Sequence, residues 1–313
     1  MNKFFSLFSV SIILFFSCNS KMLQVDNEKI KTENNIDYIP YYLKVYEADS
    51  LYLTNNFQRS YEILDSLFKV YEPLNIDNYA EYSVYLNCCL KSGHFENLRE
   101  KVIYGLTHFG GIQTLHKDSR KMYLELKDKT SISNDEENEL KIKYYNSLDL
   151  ELRKKMLQMF NDDQAVRLEN GSNEEMKIVD EKNRIELNSI FKNYGFPTKR
   201  LIGSNNAYDT PDKGHIDFEV FFLHQSDSVR KKYLPILLDG AKKGFCEPDV
   251  YATLYDRMQL ESIGKQYFGS YSCSSDNEVC TLSNPKKIDS IRKSIGLPPS
   301  IKYYSWKVKQ YSD

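Results

Sequence analysis

This chain of 313 residues has a single tryptophan and only 13 glycines, 9 prolines and 6 cysteines. It also lacks a charge bias: the formal net charge is −2, and neither sign is gathered on one part of the chain. Without a basic footprint, no nucleic acid is expected among its partners. The cysteines form no CxxC pair and no Cys/His spacing of zinc type, so no metal is expected. A GxSxG elbow, an HExxH helix, a Walker loop, a GxGxxG turn and a calcium loop are all missing, and no cofactor is expected. These absences remove only the chemistries that short motifs reveal. Long apolar runs are scarce as well. Phe4 to Phe16 is about 13 residues long, short of the roughly 20 that span a bilayer.

What is present describes an exported globular protein. An apolar share of 41% and a charged share of 27% suit a soluble body with a substantial core. Lys3 and the apolar run after it form an export leader. Ser17 directly before Cys18 resembles the lipobox of bacterial lipoproteins, although Phe15 and Phe16 stand where that motif has a branched aliphatic and a small residue. The resemblance implies that residues 1–17 are a signal peptide, that Cys18 is lipidated, and that the membrane is a partner through it. The expected location is the bacterial cell envelope, at the outer membrane or its periplasmic face. An ordinary secretory leader or an uncleaved anchor is the alternative, and each also places the body outside the cytoplasm. There, Cys273 and Cys280 flank a polar turn and are placed either for a hairpin disulfide or as two free thiols. Cys88, Cys89 and Cys246 read as small buried hydrophobes.

Residues 18–37 are polar and aperiodic, as a tether requires. Residues 38–130 repeat a helical pattern. Tyr42, Val45, Tyr46, Asp49 and Leu53 precede a break at Asn55 and Asn56, and Tyr79, Tyr82, Leu86 and Leu90 precede a break at Ser92 and Gly93. Phe57 and Phe95 open the second helix of each unit. This loosely resembles tetratricopeptide-type hairpins, which implies a groove for a protein or peptide partner; hairpins that merely cap the next domain are the alternative. An acidic stretch from Ser131 to Glu137 marks a boundary.

Residues 141–313 read as an α+β domain. A helix carries Met156, Phe160, Asp163 and Arg167 on one stripe, and the next places Asp180 and Asn183 on its buried side. Leu201 to Gly203 reads as a short strand, Phe218 to Leu223 as strand or buried helix, and Gln266–Cys273 with Glu278–Leu282 as a hairpin. Pro298 to Tyr304 reads as an extended tail. The expected fold is thus α+β and mostly helical, with a small antiparallel sheet.

From Met156 to Tyr304 the order of polar marks resembles a bacterial domain of unknown function found in secreted proteins and lipoproteins. The marks are Asp163, Gln164 and Arg167; Asp180 and Asn183; Gly195 and Pro197; Gly203; His224 and Asp227; Asp256 and Arg257; Gln266 and Gly269; and Asn284, Pro285, Asp289, Arg292, Gly296, Leu297 and Tyr303. Phe196, Leu223, Phe268 and Tyr271 depart from it, and the last two remove polar groups near Gly269. The resemblance brings no reaction with it.

Several apolar stripes therefore carry acid, amide, guanidinium or imidazole groups, and burying them without shared partners would cost several kcal/mol, roughly. One network is expected. In it His224 is a candidate base and Asp163 or Asp256 its orienting carboxylate. Arg167, Arg257, Asn183 and Gln266 are candidate ligand-binding groups. A polar core that fixes helix packing is the bland alternative, and Arg257 has Glu261 within one helical turn. A binding or scaffold role leads, ahead of a hydrolase-like enzyme. If the lipobox reading holds, Cys18→Ser removes radiolabelled palmitate incorporation and moves the protein from the membrane fraction to the soluble fraction; unchanged labelling refutes it.

Overall fold

The computed structural model describes residues 36–114, 116–169, 171–204, 212, 214–271 and 281–312. Cys18, Cys273 and Cys280 lie outside these, as do residues 18–35 of the expected tether and most of the loop after Gly203.

Helix α1 (Ile39–Leu53) starts with Pro40 in its first turn, where the missing N–H has no helical partner to lose. Tyr41, Tyr42, Val45, Tyr46, Ala48, Asp49 and Tyr52 are all buried, a stripe too wide for a surface helix. It packs against α2 (Phe57–Leu67) and α3 (Glu81–Ser92), and α3 packs against α4 (Leu98–Phe109) and α5 (Ser119–Thr130). The two hairpins thus share one core, to which Leu64, Leu86, Val102, Leu106 and Leu126 contribute. Cys88 and Cys89 are buried in it as free thiols.

The acidic stretch from Ser133 folds as the first turn of α6 (Asn134–Ser147). The Ser133 side chain accepts from the Glu136 amide, and three acidic residues face the positive helix terminus. Helix α6 packs on α4. Next come α7 (Leu150–Leu168), capped by Asp149, and α8 (Asn173–Tyr194), opened by a Ser172/Glu175 capping box. The single-turn helices α9 (Lys199–Ile202) and α10 (Val220–Leu223) follow, then α11 (Asp227–Lys242), which continues through Pro235, and α12 (Pro248–Ile263). A second core gathers Met156, Leu187, Ile190, Phe221, Phe222, Leu237 and Leu254 from these helices.

The expected α+β class is not what forms. Among the described residues the chain is mostly helical and contains no strand or sheet. Leu201 is part of a helical turn, and Phe221 and Phe222 reach the core from another. Where a hairpin was expected, Gln266 and Leu282 meet in one parallel bridge. The cause is competition for backbone donors. The Asp256 carboxylate accepts from the amides of Tyr267 (2.7 Å), Phe268 (2.9 Å) and Ser270 (2.9 Å), so those donors cannot build a ladder. Arg292, on α13 (Ile288–Lys293), donates to the Phe268 carbonyl at 2.8 Å.

The segment expected to be an extended tail is non-helical from Pro298 to Lys302, but its last two residues, Tyr303 and Tyr304, open α14 (Tyr303–Ser312), which returns to the first core. There Lys307 donates to Asp49 at 2.9 Å and to the Asn78 carbonyl at 2.8 Å, with its ammonium 3.8 Å from the Tyr79 ring centre. Both side chains of this pair are only 4% exposed. Burial pushes the Asp49 carboxyl up and the Lys307 ammonium down, while their mutual attraction opposes both shifts. Breaking a buried pair leaves a lone charge in the core. Lys307→Met is expected to cost about 3–5 kcal/mol, read from the urea midpoint. The double variant Asp49→Leu/Lys307→Met should recover part of that loss.

Candidate functional site

Helix α7 winds Met156, Phe160, Asp163 and Arg167 onto one stripe, so Asp163 is carried inward with the apolar residues and is 1% exposed. Burial of a carboxylate demands partners, and three side chains supply them. His224, at the end of α10, places Nδ1 3.0 Å from Asp163 Oδ1. Arg167 lies one turn on, 2.9 Å from the same oxygen. Gln164 donates to Oδ2 at 2.8 Å, and Arg167 donates to the Asp163 carbonyl at 3.1 Å. The other arm of Arg167 reaches Asp180 on α8 at 2.6 Å. Gln225 closes the circuit by donating to the Asp180 carbonyl at 3.0 Å.

This network opens to solvent. The side chains of His224, Arg167 and Asp180 are 27%, 20% and 21% exposed, against 1% for Asp163. With Nδ1 turned to the buried carboxylate, Nε2 is the edge left for a reactant. Asp163, Asp180 and His224 offer donor atoms within 4.8 Å of one another, a set with the chemistry to hold a cation. Arg167 already bridges the two carboxylates, so a cation would have to displace it.

The remaining candidates lie elsewhere. Asn183 is buried one turn beyond Asp180 and donates to the Met159 carbonyl at 3.3 Å, leaving its Oδ1 without a partner. Asp256 does not meet His224: besides the three amides it accepts from the Ser270 hydroxyl at 2.9 Å. Gln266 forms a closed pair with the Tyr271 backbone, accepting at 2.7 Å and donating at 2.8 Å. Arg257 pairs with Glu261 at 2.5 Å on the surface of α12. The single network expected from the stripes is thus two: one around Asp163 and one that clamps the segment after Gly264. Gly269 takes φ +70° within that clamp, and a side chain there would strike Ile301. No family model, curated protein or solved structure matches this chain.

Three polar assemblies were not foreseen. Arg153 is fully buried and clamps the loop between α9 and α10: it binds Asp212 (2.7 and 3.1 Å) and the carbonyls of Ile202, Ser204 and Gly214. Arg230 ties α11 to the Leu223 carbonyl at 2.6 Å and to Glu261 at 2.6 Å, beside His224 in sequence. Lys199 joins Asp77 (3.0 Å) to Glu247 (2.5 Å), linking the α2–α3 loop to the start of α12. Burial alone would lower the Lys199 ammonium, but the two carboxylates hold it above the ordinary lysine range.

Two further acids lie near that bridge, and among the described residues neither forms an ion pair. Asp249 is raised by burial and by Glu247. Glu219 is pushed up to about 8 by burial, then by Asp249 and Asp217. A carboxyl raised on folding contributes stability that is full below its unfolded value near 4.5 and is lost as pH rises through about 8. Glu219→Gln should therefore raise the melting temperature more at about pH 8 than at about pH 5, measured by calorimetry at matched ionic strength. An equal change at both pH values would show that Glu219 is not held protonated by its surroundings.

Proposed function

We propose that this is an exported envelope protein, tethered through a lipid on Cys18, whose Asp163–His224–Arg167–Asp180 network is a general acid–base site for hydrolysis. The observation that carries the reading is the His224 Nδ1 bond to a buried carboxylate, with the ring still open to solvent. That arrangement fixes one tautomer and directs the Nε2 lone pair outward. His224 would accept a proton from water attacking a substrate, and Asp163 would stabilise the imidazolium that forms. Among the described residues the His224 ring bonds to Asp163, and in this reading water is the nucleophile. Arg167 holds Asp163 and Asp180 in place and is a positioning residue. The order of marks from Asp163 to Arg292 supports membership of the bacterial domain of unknown function that the sequence resembles.

A binding or scaffold role is the second reading. It is favoured by the saturation of Arg167, which faces a carboxylate with each arm and has little left for an anionic substrate. The readings separate on one measurement. On the hydrolytic reading the wild-type chain is expected to hydrolyse chromogenic carboxylic or phosphoric esters, and His224→Ala is expected to lower kcat/KM by about 10²–10⁴-fold while the melting temperature holds. Asp163→Asn is expected to reduce kcat similarly but also to destabilise, because it disturbs three side-chain contacts. A chain inactive on the whole panel, or a His224→Ala variant that loses stability and no activity, makes the network a structural staple.

A further inference from the structure

His224 leaves from the end of a single helical turn, and one turn of helix does not hold its own direction. Phe221 and Phe222 seat the body of α10 in the second core, but the imidazole departs from its C-terminal end, where a helix leaves carbonyls unbonded. The His224 amide reaches the Val220 carbonyl at a long 3.3 Å. Two buried side chains supply firmer ties, one on each side of the histidine. Gln225 donates to the Asp180 carbonyl at 3.0 Å and fastens the far side to α8. Arg230 donates to the Leu223 carbonyl at 2.6 Å and fastens the near side to α11.

Arg230 is itself fixed from a third helix. Its Nη1 lies 2.6 Å from Glu261 on α12 and 3.1 Å from Asp227, while the other Glu261 oxygen takes Arg257 at 2.5 Å. Burial alone would raise the Glu261 carboxyl, but the two guanidinium groups hold it below the usual carboxylate range, so it stays an anionic anchor at neutral pH. Only a planar fork serves this arrangement, with one terminal nitrogen on a carbonyl and the other on carboxylates; lysine has a single point charge for both.

For stability alone the device is expensive. Arg230 is 7% exposed, and its Nε has no hydrogen-bond partner among the described residues. A buried guanidinium with an unused donor costs free energy that an apolar side chain of similar size would not. What the arginine adds is direction: a line of bonds runs from α12 through Glu261 and Arg230 to the carbonyl that precedes His224.

We infer that Arg230 is a positioning residue for His224. With Glu261 behind it, it holds the imidazole so that Nδ1 meets Asp163 and Nε2 faces solvent. Its effect on catalysis rests on the hydrolytic reading, whereas its hold on the ring does not.

Nitrogen-15 spectra of the histidine-labelled full chain at neutral pH test the hold directly, with the His224 signals identified by their loss in His224→Ala. In the wild type the two ring nitrogens separate as one protonated and one bare, the mark of a single tautomer. In Arg230→Met they move toward a common averaged position at a temperature where circular dichroism shows the chain folded. Glu261→Gln, made at an exposed residue, shifts them the same way by less. Arg257→Ala leaves them unchanged, since it removes only the other partner of Glu261. Should Arg230→Met fail to fold, Glu261→Gln decides. Ring signals that match the wild type in the folded variants, with only the melting temperature lowered, overturn the proposal and leave Arg230 a packing residue; a wild-type ring already averaged between tautomers overturns it too. Where the wild type hydrolyses an ester, Arg230→Met lowers kcat by about tenfold or more with KM within about twofold. A wild type without activity refutes the hydrolytic reading alone, and the ring signals still decide the hold.

Discussion

A buried phenol brings a hydroxyl that must find an acceptor, and α1 buries four of them. Tyr41 donates to Glu81 at 2.6 Å, Tyr42 to the Cys246 carbonyl at 2.9 Å and Tyr46 to the Gly296 carbonyl at 2.9 Å. Tyr52 accepts from Asn87 at 3.2 Å and contacts the Met122 sulfur at 3.3 Å. Each ring packs as a large hydrophobe, and each hydroxyl specifies one partner far along the chain. Four elements are thereby held to one helix: α3, the turn before α12, the turn after α13, and α5. With 24 tyrosines in the chain, the first core gains directionality that an all-leucine core would lack.

That dual role explains what the sequence revealed of the fold. Periodicity located α1 to α4, α7 and α8 because their apolar positions repeat at helical spacing. It placed only half of α1 in the core, since Tyr41, Ala48 and Tyr52 lie off the single stripe that helical spacing marks and the helix is buried on more than one side. The supposed strands failed for a different reason. Segments of four to eight residues with aromatic and β-branched content satisfy a strand pattern, yet nothing local tells whether their amides will find a ladder. Here Asp256, eleven residues before Tyr267 in the chain, captured them. No alternation pattern encodes that capture.

The site was legible to the extent that it lay on a stripe. Asp163 and Arg167 continue the apolar spacing of α7, and the partner helix supplied Asp180 by the same logic. The same spacing extended one turn toward the N-terminus reaches Arg153, which the reading stopped short of; the signal was present and unused. Lys199 had none, because it sits in a single turn of helix and its partners Asp77 and Glu247 come from opposite ends of the fold. Asp256 and Gln266 were recognised as unusual, and their separate destination depended on loop geometry that composition does not carry.

Exposure separates the two networks that share these marks. Asp256 and Gln266 are 0% exposed, and every oxygen of the Asp256 carboxylate is occupied by backbone or hydroxyl donors. Such a group is committed to one conformation and has no lone pair left for a substrate. His224 differs in kind: one ring nitrogen is held by a buried acid while the opposite edge meets water. A polar residue that only stabilises packing gains from being enclosed, since a drier site strengthens its hydrogen bonds. Leaving His224, Arg167 and Asp180 each a fifth or more exposed forgoes that gain. The pattern fits a network whose inner acid is structural and whose imidazole is kept available, and the inner acid is what makes that imidazole directional.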